Sequence, residues 1–215
     1  AKVHCDAVQA FGKIGVDMEA LGADSLTVSA HKIGGPQGVG ALVVAPGVEL
    51  QPLIGGGQER GLRGGTENVP GIAGFGAAAA LIGDTIERVS ATGAWRDRME
   101  ARLKAAVPGV AVWGEAAPRL PNTSCIGLAG LRAETQVIAM DLAGIAVSAG
   151  AACSSGKVRP SHVLGAMGAT EAEAASAIRV SFGWTSAAED AERMAEAWTS
   201  FVARSAGLSP ARVAA

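Results

Sequence analysis

The 215-residue chain is poor in aromatic residues and has no tyrosine. Any hydrophobic core must therefore be built mainly from Ala, Val, Leu and Ile, and the 49% hydrophobic content is sufficient for one. Long apolar runs are also missing, because glycine and polar residues interrupt each run before the roughly 18 residues that span a bilayer. The first residues lack the charged-then-apolar pattern of a secretion signal. The sequence predicts no membrane partner.

Neither sign of charge dominates, since the net charge is -2. This balance gives no electrostatic argument for nucleic acid or an anionic membrane as a partner. Cysteine is scarce: Cys5, Cys125 and Cys153 share no CxxC spacing and leave an odd thiol. A disulfide framework and a four-ligand zinc site are both disfavoured, so we expect no metal site and a reducing, cytoplasmic environment.

Strand-like and helix-like segments alternate along the chain, which predicts an α/β fold. The predicted strands are 2–5, 25–29, 40–44, 110–113, 123–128, 146–148 and 177–182. The predicted helices are 67–89, 94–106, 134–143 and 187–206, and a further helix is predicted to start near His162. We place a domain boundary near residue 90, giving domains 1–90 and 91–215. The chain opens within a predicted strand, which suggests an upstream segment.

An acidic residue and a lysine follow the first two predicted strands and are candidates for one crevice at the strand ends. A pyridine-based cofactor that acts as an electron sink needs a carboxylate for its ring nitrogen and a lysine amine. It also needs small side chains that donate hydrogen bonds to its phosphate. Asp6 and Lys32 supply the first two, and Ser29 and His31 flank the lysine as donors. From these residues alone the alternative stays open that Asp6 caps a helix and Lys32 is a solvated surface amine.

Five segments together resemble the NifS/IscS-type cysteine desulfurases, which are fold-type I, class V aminotransferase-like enzymes. They are HCDAVQAFGKI (4–14), SAHKIGGPQGVGAL (29–42), GGGQERGLRGGTENVPG (55–71), SAGAACSSG (148–156) and IRVSFGWTS (178–186). The resemblance implies that 1–90 is the C-terminal part of a large pyridoxal-phosphate domain and that 91–215 is a small α/β domain. It also implies an N-terminal half, absent here, as a partner needed for cofactor binding and turnover.

The resemblance assigns a cofactor role to each of five residues near the start of the chain. Lys32 would attach pyridoxal 5'-phosphate covalently and later move the substrate α-proton. Asp6 would pair with the pyridinium nitrogen, and Gln9 would hydrogen-bond the ring's phenolic oxygen. Ser29 and His31 would bind the phosphate.

Three further residues receive roles from the same resemblance. Thr66 matches a threonine that reaches the phosphate site of the neighbouring subunit, which implies a homodimer. Arg179 matches the arginine that binds the substrate carboxylate, a task suited to a planar guanidinium. Cys153 would accept sulfur from L-cysteine as a persulfide, leaving L-alanine. Cys5 and Cys125 are interpreted as packing residues.

The predicted function is therefore a cysteine desulfurase that passes sulfur to an iron–sulfur scaffold or another acceptor. Two alternatives remain open at this point. One is a selenocysteine lyase or a related pyridoxal-phosphate lyase built on the same motifs. The other is a non-catalytic C-terminal fragment that acts as a dimerisation or docking module.

Overall fold

The computed structural model describes residues 1–149 and 161–205. The chain divides into two compact units, Ala1–Arg88 and Val89–Ala215. Each unit has its own sheet, and each is considered by itself below.

The N-terminal unit contains a three-stranded sheet formed by β1 (His4–Asp6), β2 (Ser25–Ser29) and β3 (Gly40–Val44). The strands lie in the order β1-β2-β3, with β1 parallel and β3 antiparallel to β2. In β2, Leu26 and Val28 are buried and alternate with half-buried polar residues, the period-2 pattern of a strand. A small core forms on these two side chains together with Ala7, Cys5, Phe11 and Phe75.

Helix α1, Val69–Ala80, begins where the Asn68 side-chain oxygen accepts a hydrogen bond from the Gly71 amide at 3.2 Å. Helix α2 then runs without interruption from Ile82 to Ala106. The prediction of separate helices at 67–89 and 94–106 was wrong, since the break between the two helices lies at Leu81. Among residues 1–149 and 161–205, no single helix is long and apolar enough to cross a membrane; α1 and α2 meet that requirement only together, bent by 60°.

The second sheet is antiparallel and has four short strands in the order β4-β5-β7-β6. The strands are β4 (Ala111–Val112), β5 (Thr123–Gly127), β6 (Ser148–Ala149) and β7 (Ile178–Ser181). In β7, Ile178 and Val180 are buried whereas Arg179 and Ser181 are exposed. This alternation sends the apolar residues to the core face and Arg179 to the opposite face.

The remaining helices are α3 (Ala133–Leu142), α4 (His162–Ala166), α5 (Glu171–Ser176) and α6 (Ala188–Ser205). Residues of α2, α3 and α6 form the main core with the inner face of the sheet, around Met99, Met140 and Trp198. A second, smaller cluster contains Leu164 and Ala174 from α4 and α5. The α/β prediction is confirmed, although α5 had no counterpart in it.

One buried hydrogen-bond network joins three parts of the C-terminal unit. The Trp198 indole Nε1 donates to Gln136 Oε1 at 2.8 Å. The Gln136 amide nitrogen in turn donates to the carbonyls of Leu131, at 2.8 Å, and Ser176, at 2.6 Å. Since both side chains are fully buried, these bonds satisfy polar atoms that would otherwise be costly to desolvate. The network fixes α3 and α6 against the end of α5.

Candidate functional site

Four predicted cofactor residues lie at one edge of the N-terminal sheet. Strands β1 and β2 are parallel with Asp6 opposite Thr27, so their carboxyl ends meet at the same edge. Asp6 is the last residue of β1, and Ser29 is the last residue of β2. A 3-10 helix, Ala30–Ile33, follows directly and carries His31 and Lys32, both exposed. This edge thus gathers a carboxylate, a hydroxyl, an imidazole and an amine.

Ser29 and His31 are hydrogen-bonded to each other. The Ser29 hydroxyl and the His31 Nδ1 lie 2.8 Å apart. This bond fixes both groups relative to the end of β2. Whichever group donates in this bond, the pair keeps a further O–H or ring N–H, and such a donor suits an anionic group such as a phosphate.

The Asp6 carboxylate is positioned by the backbone that follows it. Its Oδ1 accepts a hydrogen bond from the Val8 amide at 3.0 Å, the i to i+2 pattern of an Asx turn. The next residue, Ala7, donates its amide to the Thr27 carbonyl at 3.0 Å and is buried. The carboxylate is therefore held at the strand end while Asp6 remains exposed.

Gln9 lies on the turn after β1 and is exposed. Its side-chain oxygen and its backbone carbonyl each accept a hydrogen bond from the Lys13 ammonium at 2.9 Å. The predicted bond from Gln9 to a cofactor oxygen stays a prediction.

Two glycines explain the turn that presents Lys32. Gly34 ends the 3-10 helix with φ at 85°, a left-handed conformation that glycine adopts without a steric penalty. Gly40 begins β3 where a Cβ atom would lie 2.8 Å from the Val28 carbonyl oxygen. The glycine-rich run after the lysine is thus a requirement of the local backbone.

Thr66 lies at the end of a glycine-rich loop, 55–66, in which two backbone segments approach closely. A Cβ on Gly56 would lie 2.3 Å from the Gly64 Cα. The Arg63 Nη1 donates to the carbonyls of Gly65, at 2.7 Å, and Thr66, at 3.2 Å. Arg63 therefore fixes the backbone at Thr66, a role that the sequence analysis missed because the loop carries no periodic pattern.

Arg179 belongs to the other unit, on the outer face of β7. It lies opposite Cys125 of β5 on one side and Ser148 of β6 on the other. Its Nη2 donates to the Ser148 hydroxyl at 3.5 Å. An exposed guanidinium with a neutral hydroxyl beside it is available for an anionic ligand.

Two of the three cysteines, Cys5 and Cys125, belong to the described part of the chain. Cys153, the predicted sulfur acceptor, lies outside the described residues. Burial raises the pKa of the Cys125 thiol, and the charge of Arg179 opposes this only in part. Cys125 packs beside Leu164 and Cys5 beside Leu26, in agreement with the packing interpretation. No cluster of three or more potential metal ligands occurs in the part of the chain that the structure describes.

Comparison with known proteins gives the same assignment as the five motifs. Residues 1–194 match the Aminotransferase class-V family. The chain belongs to this family. The NifS/IscS-type resemblance drawn from the motifs is thereby confirmed at the level of the class V aminotransferases.

Several class V relatives carry the name cysteine desulfurase. One from Cereibacter sphaeroides is 48% identical over 98% of this chain and 54% of its own length. "Cysteine desulfurase IscS 1" from Archaeoglobus fulgidus is 42% identical over 98% of this chain and 55% of its own length. This chain thus spans about half the length of the curated relatives it matches.

A solved structure shows that the fold is shared as well. The NifS-like protein from Rickettsia africae superimposes with a TM-score of 0.82 at 41% identity, over 94% of this chain and 54% of that one. The predicted fold class, part of a fold-type I transferase, is confirmed. The assignment of 1–90 and 91–215 to a large and a small domain, and the roles of the site residues, stay predictions.

Proposed function

We propose that the polypeptide to which this chain belongs is a pyridoxal-phosphate-dependent cysteine desulfurase. The observation that carries the proposal is the edge of the N-terminal sheet where Asp6, Ser29, His31 and Lys32 meet. The names of relatives at 48% and 42% identity support the same reaction.

The donor set at this edge fits the cofactor. The pyridine ring nitrogen of the cofactor needs a carboxylate, its aldehyde needs an amine, and its phosphate needs hydrogen-bond donors. All three kinds of group are present. When bound, the cofactor would supply an electron sink for the substrate's Cα. Asp6 would hold the ring nitrogen, Lys32 would attach the cofactor, and the bonded Ser29–His31 pair would hold the phosphate.

The remaining residues would act on the substrate. Arg179 would bind the carboxylate of L-cysteine through two parallel charge-assisted hydrogen bonds. The Lys32 amine, once free, would accept and return the α-proton. Cys153 would take the sulfur as a persulfide, with L-alanine as the organic product; as a thiolate it would be the attacking group.

We further propose three partners for this chain. Thr66, on the loop fixed by Arg63, would contribute to the phosphate site of a second subunit in a homodimer. An N-terminal half would complete the cofactor site, and we expect residues 1–215 alone to bind pyridoxal phosphate weakly and not to turn over cysteine. The persulfide would pass to an iron–sulfur scaffold or another sulfur acceptor, and we expect this chemistry in the cytoplasm.

The test compares variants of the full-length enzyme by visible absorbance and by alanine production from L-cysteine. K32A should lose covalently attached cofactor and activity together. C153S should keep the cofactor absorbance but lose desulfurase activity. K104A, a change of an α2 lysine paired with Glu115, is the control and should leave both unchanged. Normal alanine production by K32A or C153S would refute the proposal.

A further inference from the structure

The turn that follows β1 is packed against the segment that carries Lys32. Ala7 and Phe11 anchor this turn in the small core of the N-terminal unit, and the Phe11 amide donates to the Ala7 carbonyl at 2.8 Å. Gly12 comes next with φ at 77°, and a Cβ atom on it would lie 2.6 Å from the Ile33 side chain of the 3-10 helix. The turn is therefore fixed close to the lysine-bearing helix.

Two side chains of this turn, Gln9 and Lys13, are joined by hydrogen bonds. The Lys13 ammonium donates to the backbone carbonyl of Gln9 and to its side-chain Oε1, both at 2.9 Å. An ammonium has donors and no acceptor, so the end of the amide that faces it must be the oxygen. The opposite end, Nε2, is thereby the end that the exposed Gln9 offers to a ligand.

This orientation gives the amide a chemical preference. A glutamine that rotates freely can offer either a donor or an acceptor to a neighbour. Because Lys13 holds Oε1, Gln9 is left to act as a donor at the edge where Asp6 and Lys32 lie. A donated hydrogen bond favours an oxygen that carries negative charge over the same oxygen when it is protonated.

We propose that Lys13 is a positioning residue of the cofactor site: it orients the Gln9 amide so that Nε2 donates to the phenolic oxygen of pyridoxal phosphate. The inference rests on the proposed function, which supplies the cofactor. Lys13 acts through Gln9 and not on the cofactor itself. The other charged or titratable groups at this edge are Asp6, His31 and Lys32, and the variants below leave all three unchanged.

The first readout is the pH dependence of the absorbance of the cofactor bound to the full-length enzyme. Above the midpoint the bound cofactor has lost a proton, and a hydrogen bond donated to its phenolic oxygen favours that form. K13M should therefore raise the midpoint by about 0.5–1 pH unit. K13R keeps the positive charge and the donors, so its midpoint should lie within about 0.2 pH unit of the wild-type value.

Lys2 provides the matched control for the loss of one positive charge. It precedes β1 and is paired with Asp24 at 2.9 Å. K2M should change the midpoint by less than about 0.2 pH unit, because solvent and salt screen a distant exposed charge.

A double-mutant cycle tests whether Lys13 acts through Gln9. Q9A should raise the midpoint by itself, since the donor is removed. K13M added to Q9A should then change the midpoint by less than about 0.3 pH unit, because no amide is left to orient. Additive shifts would show that Lys13 acts by its own charge, and they would overturn the proposal.

A second readout needs no cofactor. The full-length enzyme is labelled with 15N-glutamine and freed of cofactor, and the side-chain amide signal of Gln9 is assigned by its loss in Q9A. Relaxation measurements should show a fixed Gln9 amide in the wild type and in K13R, and a mobile one in K13M.

Three other results would overturn the inference. They are an unchanged midpoint in K13M, a shift in K2M as large as that in K13M, and equal mobility of the Gln9 amide in K13M and the wild type. Failure of the proposed function would look different. The wild-type enzyme would then show no cofactor absorbance, while the amide measurement would still decide whether Lys13 orients Gln9.

Discussion

The ion pair between Glu100 and Arg119 gives a prediction that can be worked out in detail. Arg119 donates from Nη1 and Nη2 to the two carboxylate oxygens of Glu100, at 2.8 and 2.9 Å. The Glu100 side chain is only 8% exposed, and that of Arg119 is 16% exposed. Removal of the arginine would leave a buried carboxylate without its main partner, which is far more costly than loss of a surface ion pair.

We expect R119M to lower the free energy of unfolding by about 3 kcal/mol, the lower end of the range for a broken buried pair. The lower end applies because the charge of Arg96 also stabilises the Glu100 carboxylate. E100M should lower the free energy of unfolding less, by about 1–2 kcal/mol, because the negative charges of Asp97 and Glu115 remain near Arg119. The free energy of unfolding of the double variant should lie within about 1 kcal/mol of the wild-type value.

The measurement is urea unfolding followed by tryptophan fluorescence. All four tryptophans, at positions 95, 113, 184 and 198, belong to the C-terminal unit, so the signal reports on the unit that contains the pair. Additive losses in the double variant, or a loss below about 0.5 kcal/mol for R119M, would refute the reasoning.

The same pair predicts a pH dependence. Burial acts to raise the pKa of Glu100, but the hydrogen bonds and charge of Arg119 outweigh it and hold that pKa below its ordinary value of 4.5. The stabilisation is therefore complete above pH 4.5 and is lost as the pH falls through the folded-state value. Between pH 6 and pH 3 the wild type should lose more stability than E100M, and equal losses would contradict this.

Three further predictions concern other parts of the fold. Trp198→Phe should cost about 1–3 kcal/mol, because Gln136 Oε1 is left buried without its donor; urea unfolding measures this. Thr170→Ala removes the capping box of α5 and should lower the free energy of unfolding by about 1 kcal/mol in the same assay. Unchanged stability would contradict this prediction. Gly40→Ala forces a Cβ within 2.8 Å of a backbone oxygen and should speed amide exchange across β2 and β3. The control Gly76→Ala, with open space in α1, should stabilise by about 0.5–1 kcal/mol.

Local patterns predicted the strands with good accuracy. The bounds of β2 and β3 agree with the prediction because their apolar residues fall between clear glycine and proline turns. The helical region was predicted less well. Glycines occur at positions 74, 76 and 83, on both sides of the break at Leu81, so they did not single out the residue where the helix ends. Helix α5 was missed, although the Thr170–Glu173 spacing is that of a capping box.

Long-range pairs were beyond the reach of the sequence. Trp198 and Gln136 are 62 positions apart, and Glu100 and Arg119 are 19 apart. Neither pair belongs to a motif. Each forms because buried polar groups are hydrogen-bonded, and the tertiary fold decides which partner lies beside them. The Arg63 contacts in the glycine-rich loop escaped prediction for the same reason.

The residues named in the proposed function are positioned in two different ways, and this explains which of them could be located from the sequence. Asp6 and Lys32 follow adjacent parallel strands, so the strand ends alone bring them to one edge. Arg179 is placed by its cross-strand neighbours, and the residue pairing that sets those neighbours depends on the whole C-terminal sheet. The sequence could therefore predict a shared edge for the cofactor residues from local pattern. The role of Arg179 could be predicted only from the family resemblance, because its neighbours depend on how the strands of the C-terminal sheet pair.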